Sequence, residues 1–150
     1  MKARWWSGLV VAAAALSACT SPACRDENLP EYKDRATPER GMQFFQYAIA
    51  NECDPHAWDC FNERSQKQFG YLGFKFGFCT IEFPGTDICI CELIKKAEIA
   101  GIRPADGRGM AVKAVSHDVF LMTVLWEEDG QWKIDLEATM KENGFERKPE

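Results

Sequence analysis

The sequence has little of what several classes of protein require. It contains only two histidines, His56 and His117, and no Cys-x-x-Cys motif, whereas thiolate metal sites usually show two paired ligand motifs. It has no internal repeat and no low-complexity tract, and its one long apolar run lies at the N-terminus. The rest of the chain therefore offers no membrane-spanning segment, and no motif indicates a cofactor.

The chain also lacks an excess of positive charge. It has 18 basic and 23 acidic residues, and Lys2 and Arg4 account for two of the basic ones within the first 18 positions. Residues 19–150 therefore carry a net charge of −7. Such a chain has no cationic face for nucleic acid or for anionic lipid headgroups, and both are excluded as partners.

The N-terminus has the pattern of an export signal. Lys2 and Arg4 precede an uncharged apolar stretch over residues 9–16, which is too short to span a bilayer and has the length and flanks of a signal peptide. The following Ser17-Ala18-Cys19 resembles the lipobox of bacterial lipoproteins. That resemblance implies cleavage between Ala18 and Cys19 and lipidation of the Cys19 thiol. The alternative is an ordinary secretory signal followed by a chance cysteine.

The resemblance also implies a location. Thr20 stands where Asp would retain a lipoprotein in the inner membrane of Gram-negative bacteria. We therefore expect the chain to be held in the outer membrane, facing the periplasm, by acyl groups such as palmitate, several of which together make anchoring stable.

Composition divides the remaining 132 residues. Residues 19–36 are polar, charged and interrupted by prolines, which predicts a flexible tether. Residues 37–144 have the length of a single domain with its own core, and residues 145–150 form a polar tail.

Six cysteines follow Cys19, and an even number in an exported protein predicts disulfides, with 15 possible connectivities. A turn over residues 83–86 places Cys79 near Cys89 across a hairpin. Cys53 and Cys60 flank a helix start and are also expected to be close. Cys24 lies in the tether and is a candidate for pairing back onto the domain. The disulfide candidates are Cys24, Cys53, Cys60, Cys79, Cys89 and Cys91.

A metal or redox site at Cys89-Ile90-Cys91 is the competing interpretation. Residues that are two positions apart in a strand share one face, so both thiols would point at one ion. An oxidising compartment favours disulfides over free thiolates, and we therefore predict disulfides and no metal site.

Two helix starts are visible. Thr37-Pro38-Glu39 supplies an N-cap, a proline at the first helical position and an acid in the first turn. Its helix buries a stripe at helical spacing, which consists of Met42, Phe44, Phe45, Ala48 and Ile49. Asp54-Pro55 repeats the signal and predicts a second helix through about Phe69, with Ala57, Trp58, Phe61 and Phe69 on its buried face.

The segment over residues 69–78 (FGYLGFKFGF) is dense in aromatic residues and interrupted by glycines. Its aromatic rings either line a pocket or lie against lipid, or they belong to the core. We favour the core, because buried aromatic rings remove a large apolar area from water.

The C-terminal half predicts strands at residues 93–102, 110–115 and 119–126, the last apolar on both faces and therefore central. Asp129-Gly130 indicates a two-residue hairpin turn. This turn pairs Trp132 with Glu127 and Ile134 with Leu125, and it directs Lys133 and Asp135 away from the core. Gly144 ends a short terminal helix.

Helices followed by an antiparallel sheet predict an α+β domain. The Thr37-Pro38-Glu39 helix start and the closing hairpin at Glu128-Asp129-Gly130-Gln131-Trp132 resemble the nuclear-transport-factor-2-like superfamily, and small secreted lipoproteins of that fold in particular. The resemblance covers residues 37–137. It implies N-terminal helices packed on a curved, cone-like sheet around an apolar cavity, in a protein that either binds or catalyses.

We expect a membrane-anchored, non-catalytic binding or accessory module whose partner is a small apolar ligand or an envelope protein. One alternative is a cavity enzyme of the isomerase or cyclase type, which needs an acid or base tuned by an apolar pocket. The other is a thiol- or metal-handling protein that uses Cys89 and Cys91. The acid, base and hydroxyl candidates are His56, His117, Asp118, Asp135, Tyr47 and Tyr71.

Overall fold

The computed structural model describes residues 21–105 and 107–145, so the predicted signal segment, Ala18, Cys19 and residues 146–150 lie outside it. Over the described ranges the chain forms six α-helices and one four-stranded antiparallel sheet. The helices are α1 (Pro38–Ala50), α2 (Asp54–Asp59), α3 (Glu63–Phe69), α4 (Tyr71–Gly77), α5 (Ile90–Lys96) and α6 (Leu136–Glu142). The strands are β1 (Glu98–Pro104), β2 (Gly109–Ser116), β3 (Val119–Glu128) and β4 (Gln131–Ile134). This architecture confirms the predicted α+β class.

The sheet runs in the order β1-β2-β3-β4, and β3 has a neighbour on each side, as its apolar sequence predicts. Asp129 and Gly130 both have positive φ, 53° and 78°, in the two-residue turn between β3 and β4. The predicted register is confirmed, with Trp132 opposite Glu127 and Ile134 opposite Leu125.

Helix α1 packs across the sheet. The Thr37 hydroxyl accepts the N–H of Arg40 at 3.2 Å, which confirms the N-cap. The predicted apolar stripe is buried throughout, as Met42, Phe44, Phe45, Ala48 and Ile49. A Cβ at Gly41 would lie 2.7 Å from the carbonyl oxygen of Trp132. Only glycine therefore permits this close approach of α1 to β4.

The single helix predicted from Asp54 to Phe69 is wrong, because the chain forms two helices separated by residues 60–62. Phe61 there makes a parallel bridge with Ile134, the last residue of β4. The Ile134 N–H donates to the Cys60 carbonyl at 2.7 Å, and the Asn62 N–H donates to the Ile134 carbonyl at 2.9 Å. The linker satisfies the backbone at the end of β4, and Asn62 then caps α3.

The strand predicted at residues 93–102 is also wrong over its first half. Residues 90–96 form α5, and β1 begins only at Glu98. The helical spacing brings Lys95 and Lys96 within 3.3 and 3.5 Å of the Glu92 carboxylate. A short apolar run fits a strand and a buried helix equally well, and these lysines supply the helical period that the prediction overlooked.

The segment predicted as a flexible tether is folded from Pro22 onward. It forms three short 3₁₀-helices, Pro22–Cys24, Asp26–Asn28 and Glu31–Asp34. The hydroxyl of Tyr47 on α1 donates to the Ala23 carbonyl at 2.8 Å. Since Cys24 is buried as well, this segment belongs to the domain.

The helical side of the interior is filled by aromatic rings. Phe61 is 1% exposed and lies at its centre, with ring centroids 5.3 to 6.1 Å from four neighbours. Those neighbours are Phe45, Trp58, Phe74 and Phe78. Side chains of the protein itself therefore fill this part of the interior.

Candidate functional site

A groove of about 600 Å³ separates α3 from α6. Its apolar surface comes from Phe69, Met140 and Phe145, and Phe69 is 37% exposed there. Gln68 on α3 donates to the Glu137 carboxylate on α6 at 3.0 Å. The groove therefore has apolar walls with a polar pair that joins its two helices. It is lined by Gln68, Phe69, Glu137, Met140, Lys141, Gly144 and Phe145.

The far end of the groove is held by packing. Gly144, with φ of 75°, ends α6 as predicted and turns the chain so that Phe145 leaves the helix. The Phe145 ring meets Phe83 edge-to-face at 5.9 Å. This contact holds Phe145 against the rest of the domain.

The two helices that form the groove are joined by a buried carboxylate. The prediction that Asp135 faces outward is wrong, because β4 ends at Ile134 and Asp135 is the fully buried N-cap of α6. Arg64 donates to its two oxygens at 3.1 and 2.7 Å, and Asn62 donates at 2.8 Å. The N–H of Ala138 completes the set at 2.9 Å.

These donors determine the protonation of Asp135. Burial alone raises the pKa of this carboxyl group, but the hydrogen bonds from Arg64, Ala138 and Asn62 outweigh burial and lower the pKa below its ordinary value. An ionised carboxylate with every lone-pair direction engaged is a poor proton acceptor at neutral pH. Asp135 is therefore a structural residue that sets the angle between α3 and α6.

The remaining acid, base and hydroxyl candidates lie in separate places. His117 and Asp118 form the exposed β2–β3 turn, with φ of 50° and 60°. The His56 Nε2 lies 2.9 Å from the Cys24 carbonyl oxygen. Tyr47 bonds the N-terminal segment, and the Tyr71 ring packs on Trp58 at 5.8 Å. Among the described residues, these groups do not meet in one pocket.

Four of the six cysteines form two disulfides, Cys24–Cys53 and Cys79–Cys91. The pairings suggested by the expected proximity of Cys79 to Cys89 and of Cys53 to Cys60 therefore do not form. The prediction that Cys24 pairs back onto the domain is confirmed. Cys60 and Cys89 are thiols. Burial raises the pKa of Cys60 to about 12, so this thiol is protonated and unreactive at neutral pH.

Cys89 differs from Cys60 because it is only partly buried and opens into a cleft of about 270 Å³. Both cysteines of the Cys79–Cys91 disulfide line the same cleft. The disulfide removes Cys91 from any thiolate pair with Cys89. Over residues 21–105 and 107–145, no group of three or more His, Cys, Asp and Glu side chains is placed to hold a metal ion.

No sequence pattern indicates one further arrangement, which lies beside the groove. Two guanidinium groups lie over the indole of Trp126, with Arg64 at 4.8 Å and Arg108 at 5.2 Å from the centre of its ring. The three residues come from α3, the β1–β2 turn and β3, and no sequence spacing relates them. Only the fold brings them together.

No protein-family model, curated protein or solved structure matches this chain. The resemblance to the nuclear-transport-factor-2-like superfamily therefore stays a prediction. In the part of the chain that the structure describes, no helix is both long and apolar enough to cross a membrane.

Proposed function

We propose that the protein is a lipid-anchored binding module of the cell envelope and that the groove between α3 and α6 takes a small apolar ligand. The observation that carries this proposal is the groove itself, with apolar walls on two helices that the buried Asp135 carboxylate joins through its ion pair with the half-exposed Arg64. Ligand sites are commonly concave, mostly apolar and fixed in advance by rigid elements.

The position of the groove favours a ligand site at the surface of the domain. It does not favour a site inside a cone-shaped cavity. Phe61 and its ring neighbours fill the interior, so a ligand there would have to displace packed core. A ligand in the groove contacts side chains that are already partly exposed, such as Phe69.

The location in the envelope is supported by two features. Cys24–Cys53 and Cys79–Cys91 are disulfides of the kind that persist in oxidising compartments. Cys19, the predicted lipidation site, lies only five positions before Cys24, so an anchor there would hold the folded domain close to the membrane.

Two mass measurements test the proposal on the chain exported to the periplasm and never reduced. The N-terminal peptide is expected to begin at Cys19 and to carry acyl chains, and native mass spectrometry is expected to find a small molecule bound to the domain. An unmodified N-terminus would contradict the anchor, and failure to find any binder among apolar compounds would contradict the groove.

The Met140→Ser variant tests whether the ligand binds in the groove. The loss of the side chain from the groove is expected to weaken binding about tenfold, which corresponds to the transfer of one partly buried apolar side chain. The matched control is Met122→Ser on β3, since Met122 lines a different surface. Equal weakening by both substitutions would place the ligand elsewhere.

A second candidate function, thiol–disulfide exchange, is favoured by the free thiol of Cys89 beside the Cys79–Cys91 disulfide. Cys89 loses its proton to solvent, and the thiolate attacks the Cys79 sulfur. The Cys79–Cys91 bond breaks, Cys91 leaves as a thiolate and takes up a proton. A Cys79–Cys89 disulfide results, and no external oxidant is consumed.

Peptide mapping at pH 8.5 tests this exchange. Both Cys79–Cys91 and Cys79–Cys89 peptides are expected in the native protein, and Cys91→Ser is expected to trap Cys79–Cys89 during export. Cys60→Ser serves as the control, since Cys60 is buried away from the cleft. Exclusive Cys79–Cys91 pairing after prolonged incubation would rule out exchange.

A further inference from the structure

The aromatic segment over residues 69–78 has two opposed faces. Phe74 and Phe78 are 6% and 4% exposed and belong to the core, as the sequence predicts. Leu72 and Phe76 on α4 are 68% and 72% exposed, and these two side chains form what we call the α4 face. Their spacing of four positions within one helix places both side chains on one side of it.

The α4 face stands apart from the other exposed apolar side chains. In the described part of the chain, the remaining large ones are Phe69, which lines the groove, and Ile102 and Phe120, which belong to the sheet at β1 and β3. Two large and highly exposed apolar side chains on one face of a short helix form a patch, and such patches mark contact with another apolar surface.

Charge around the α4 face favours a lipid surface. Between Lys67 and Glu82 the only charged side chain is Lys75, in a chain that is acidic elsewhere. Residues 68–81 therefore contribute no carboxylate of their own, whereas Glu52, Asp54 and Glu92 line the cleft that Phe74 and Lys75 also line. The Lys75 ammonium lies 5.8 Å from the centre of the Phe76 ring, and a lysine beside apolar side chains can keep its head at the membrane–water boundary.

The path of the chain brings the predicted anchor near α4. The disulfide fixes Cys24 beside Cys53, with their Cα atoms 5.4 Å apart. The next residue, Asp54, lines the same cleft as Phe74 and Lys75 of α4. Five residues span at most about 17 Å, so a lipid on Cys19 holds the bilayer within that distance of Cys24.

We infer that the α4 face rests in the interfacial layer of the membrane that holds the protein, with Leu72 and Phe76 among the acyl chains. This inference depends on the proposed lipid anchor and adds an orientation to it. Phe69 of the groove between α3 and α6 lies three positions before Leu72, so the membrane would lie near the groove and an apolar ligand could enter from lipid.

Photo-crosslinking tests the orientation on the mature lipidated chain in vesicles of phosphatidylcholine and phosphatidylethanolamine. A fraction of the lipid carries a diazirine on its acyl chain. Adducts are expected on peptides that contain Leu72 and Phe76, at least tenfold above those on the peptide that contains Phe120. Phe120 is 55% exposed on the sheet and serves as the matched control.

A Leu72→Ser/Phe76→Ser double variant is expected to lose the adducts at α4 while it keeps the anchor and an unchanged melting temperature. Adducts centred on the sheet, or absent from α4 in a chain whose Cys19 carries lipid, would overturn the inference. The inference would also be overturned if native mass spectrometry found a dimer and the same variant abolished that dimer. A second copy of the chain would then cover the face. Absence of lipid from Cys19 would instead contradict the proposed anchor.

Discussion

The sheet half and the helical half of this domain are held together by different means. Strands β2, β3 and β4 form continuous antiparallel ladders, and α6 is tied to them through Asp135. Helices α2 to α5 have only six or seven residues each, too few to be stable alone in water. Interlocked aromatic rings and two disulfides hold them in place. The sheet half therefore depends on backbone pairing, whereas the helical half depends on side chains and cross-links.

The largest expected loss of stability follows Phe61→Ala in the helical half. Removal of this ring leaves a cavity among four aromatic neighbours and is expected to lower the free energy of unfolding by about 4 kcal/mol. Urea unfolding of the oxidised protein measures this loss of stability. Phe120→Ala, an exposed aromatic on β3, is the control and is expected to change stability by less than about 0.5 kcal/mol. Similar losses for both would contradict the central position of Phe61.

Removal of the Cys24–Cys53 disulfide is expected to have the next largest effect. The bond closes a loop over a sequence separation of 29, and a Cys24→Ala/Cys53→Ala variant is expected to lose about 3 kcal/mol. Hydrogen exchange should accelerate over residues 22–35 more than over β3. Unchanged protection of residues 22–35 would mean that the contacts with α1 hold this segment without the cross-link.

The Asp135→Asn variant tests the contact between the two halves, because this carboxylate binds Asn62 and Arg64 of the helical half. It leaves the Arg64 guanidinium without its carboxylate and is expected to cost about 2 kcal/mol at pH 7, a value reduced because Arg64 is 45% exposed. The pKa of Asp135 is lowered in the folded state. The ionised carboxylate therefore stabilises the fold above its ordinary pKa of 3.8, and this contribution is lost as pH falls through the lower folded value.

Urea unfolding at several pH values separates these effects. The difference between wild type and Asp135→Asn should be constant from pH 7 to about pH 5 and should shrink at lower pH. Asp118→Asn, in the exposed β2–β3 turn, is the control and should leave stability nearly unchanged. A difference that persists at pH 2 would show that shape, and not charge, accounts for the loss.

The smallest effect on stability is expected at the two thiols, which differ instead in reactivity. In the native protein iodoacetamide is expected to alkylate Cys89 and not Cys60, because burial holds Cys60 protonated. Denaturation should make both react at similar rates. Alkylation of Cys60 at the rate of Cys89 without denaturant would mean that the ring cluster around residue 61 opens readily.

The sheet half was predictable because its signals are local. The Asp129-Gly130 turn fixes the register of β3 and β4, and the apolar run over residues 119–126 identifies the central strand. The helical half was less predictable from the sequence. The break at residues 60–62 arises because that segment pairs with Ile134, more than seventy positions away. No property of residues 60–62 predicts that partner.

The disulfide pattern was likewise predictable only in part. Their even number after Cys19 predicts disulfides, and the return of Cys24 to the domain was anticipated. The choice of Cys91 over Cys89 as the partner of Cys79 depends on α5, since residues two apart share a face in a strand but not in a helix. The prediction had been based on the turn over residues 83–86, and it led to the wrong partner.

By itself, the sequence determined the α+β class, the cap and buried stripe of α1, the closing hairpin and the expectation of an exported, cross-linked domain, because each depends on residues close together in the chain. Only the tertiary structure decided that Asp135 is buried and ionised, that the aromatic segment divides into a core face and the α4 face, and that α3 and α6 enclose a groove. Those features join residues from distant parts of the chain, and their energies come from partners that local patterns do not specify.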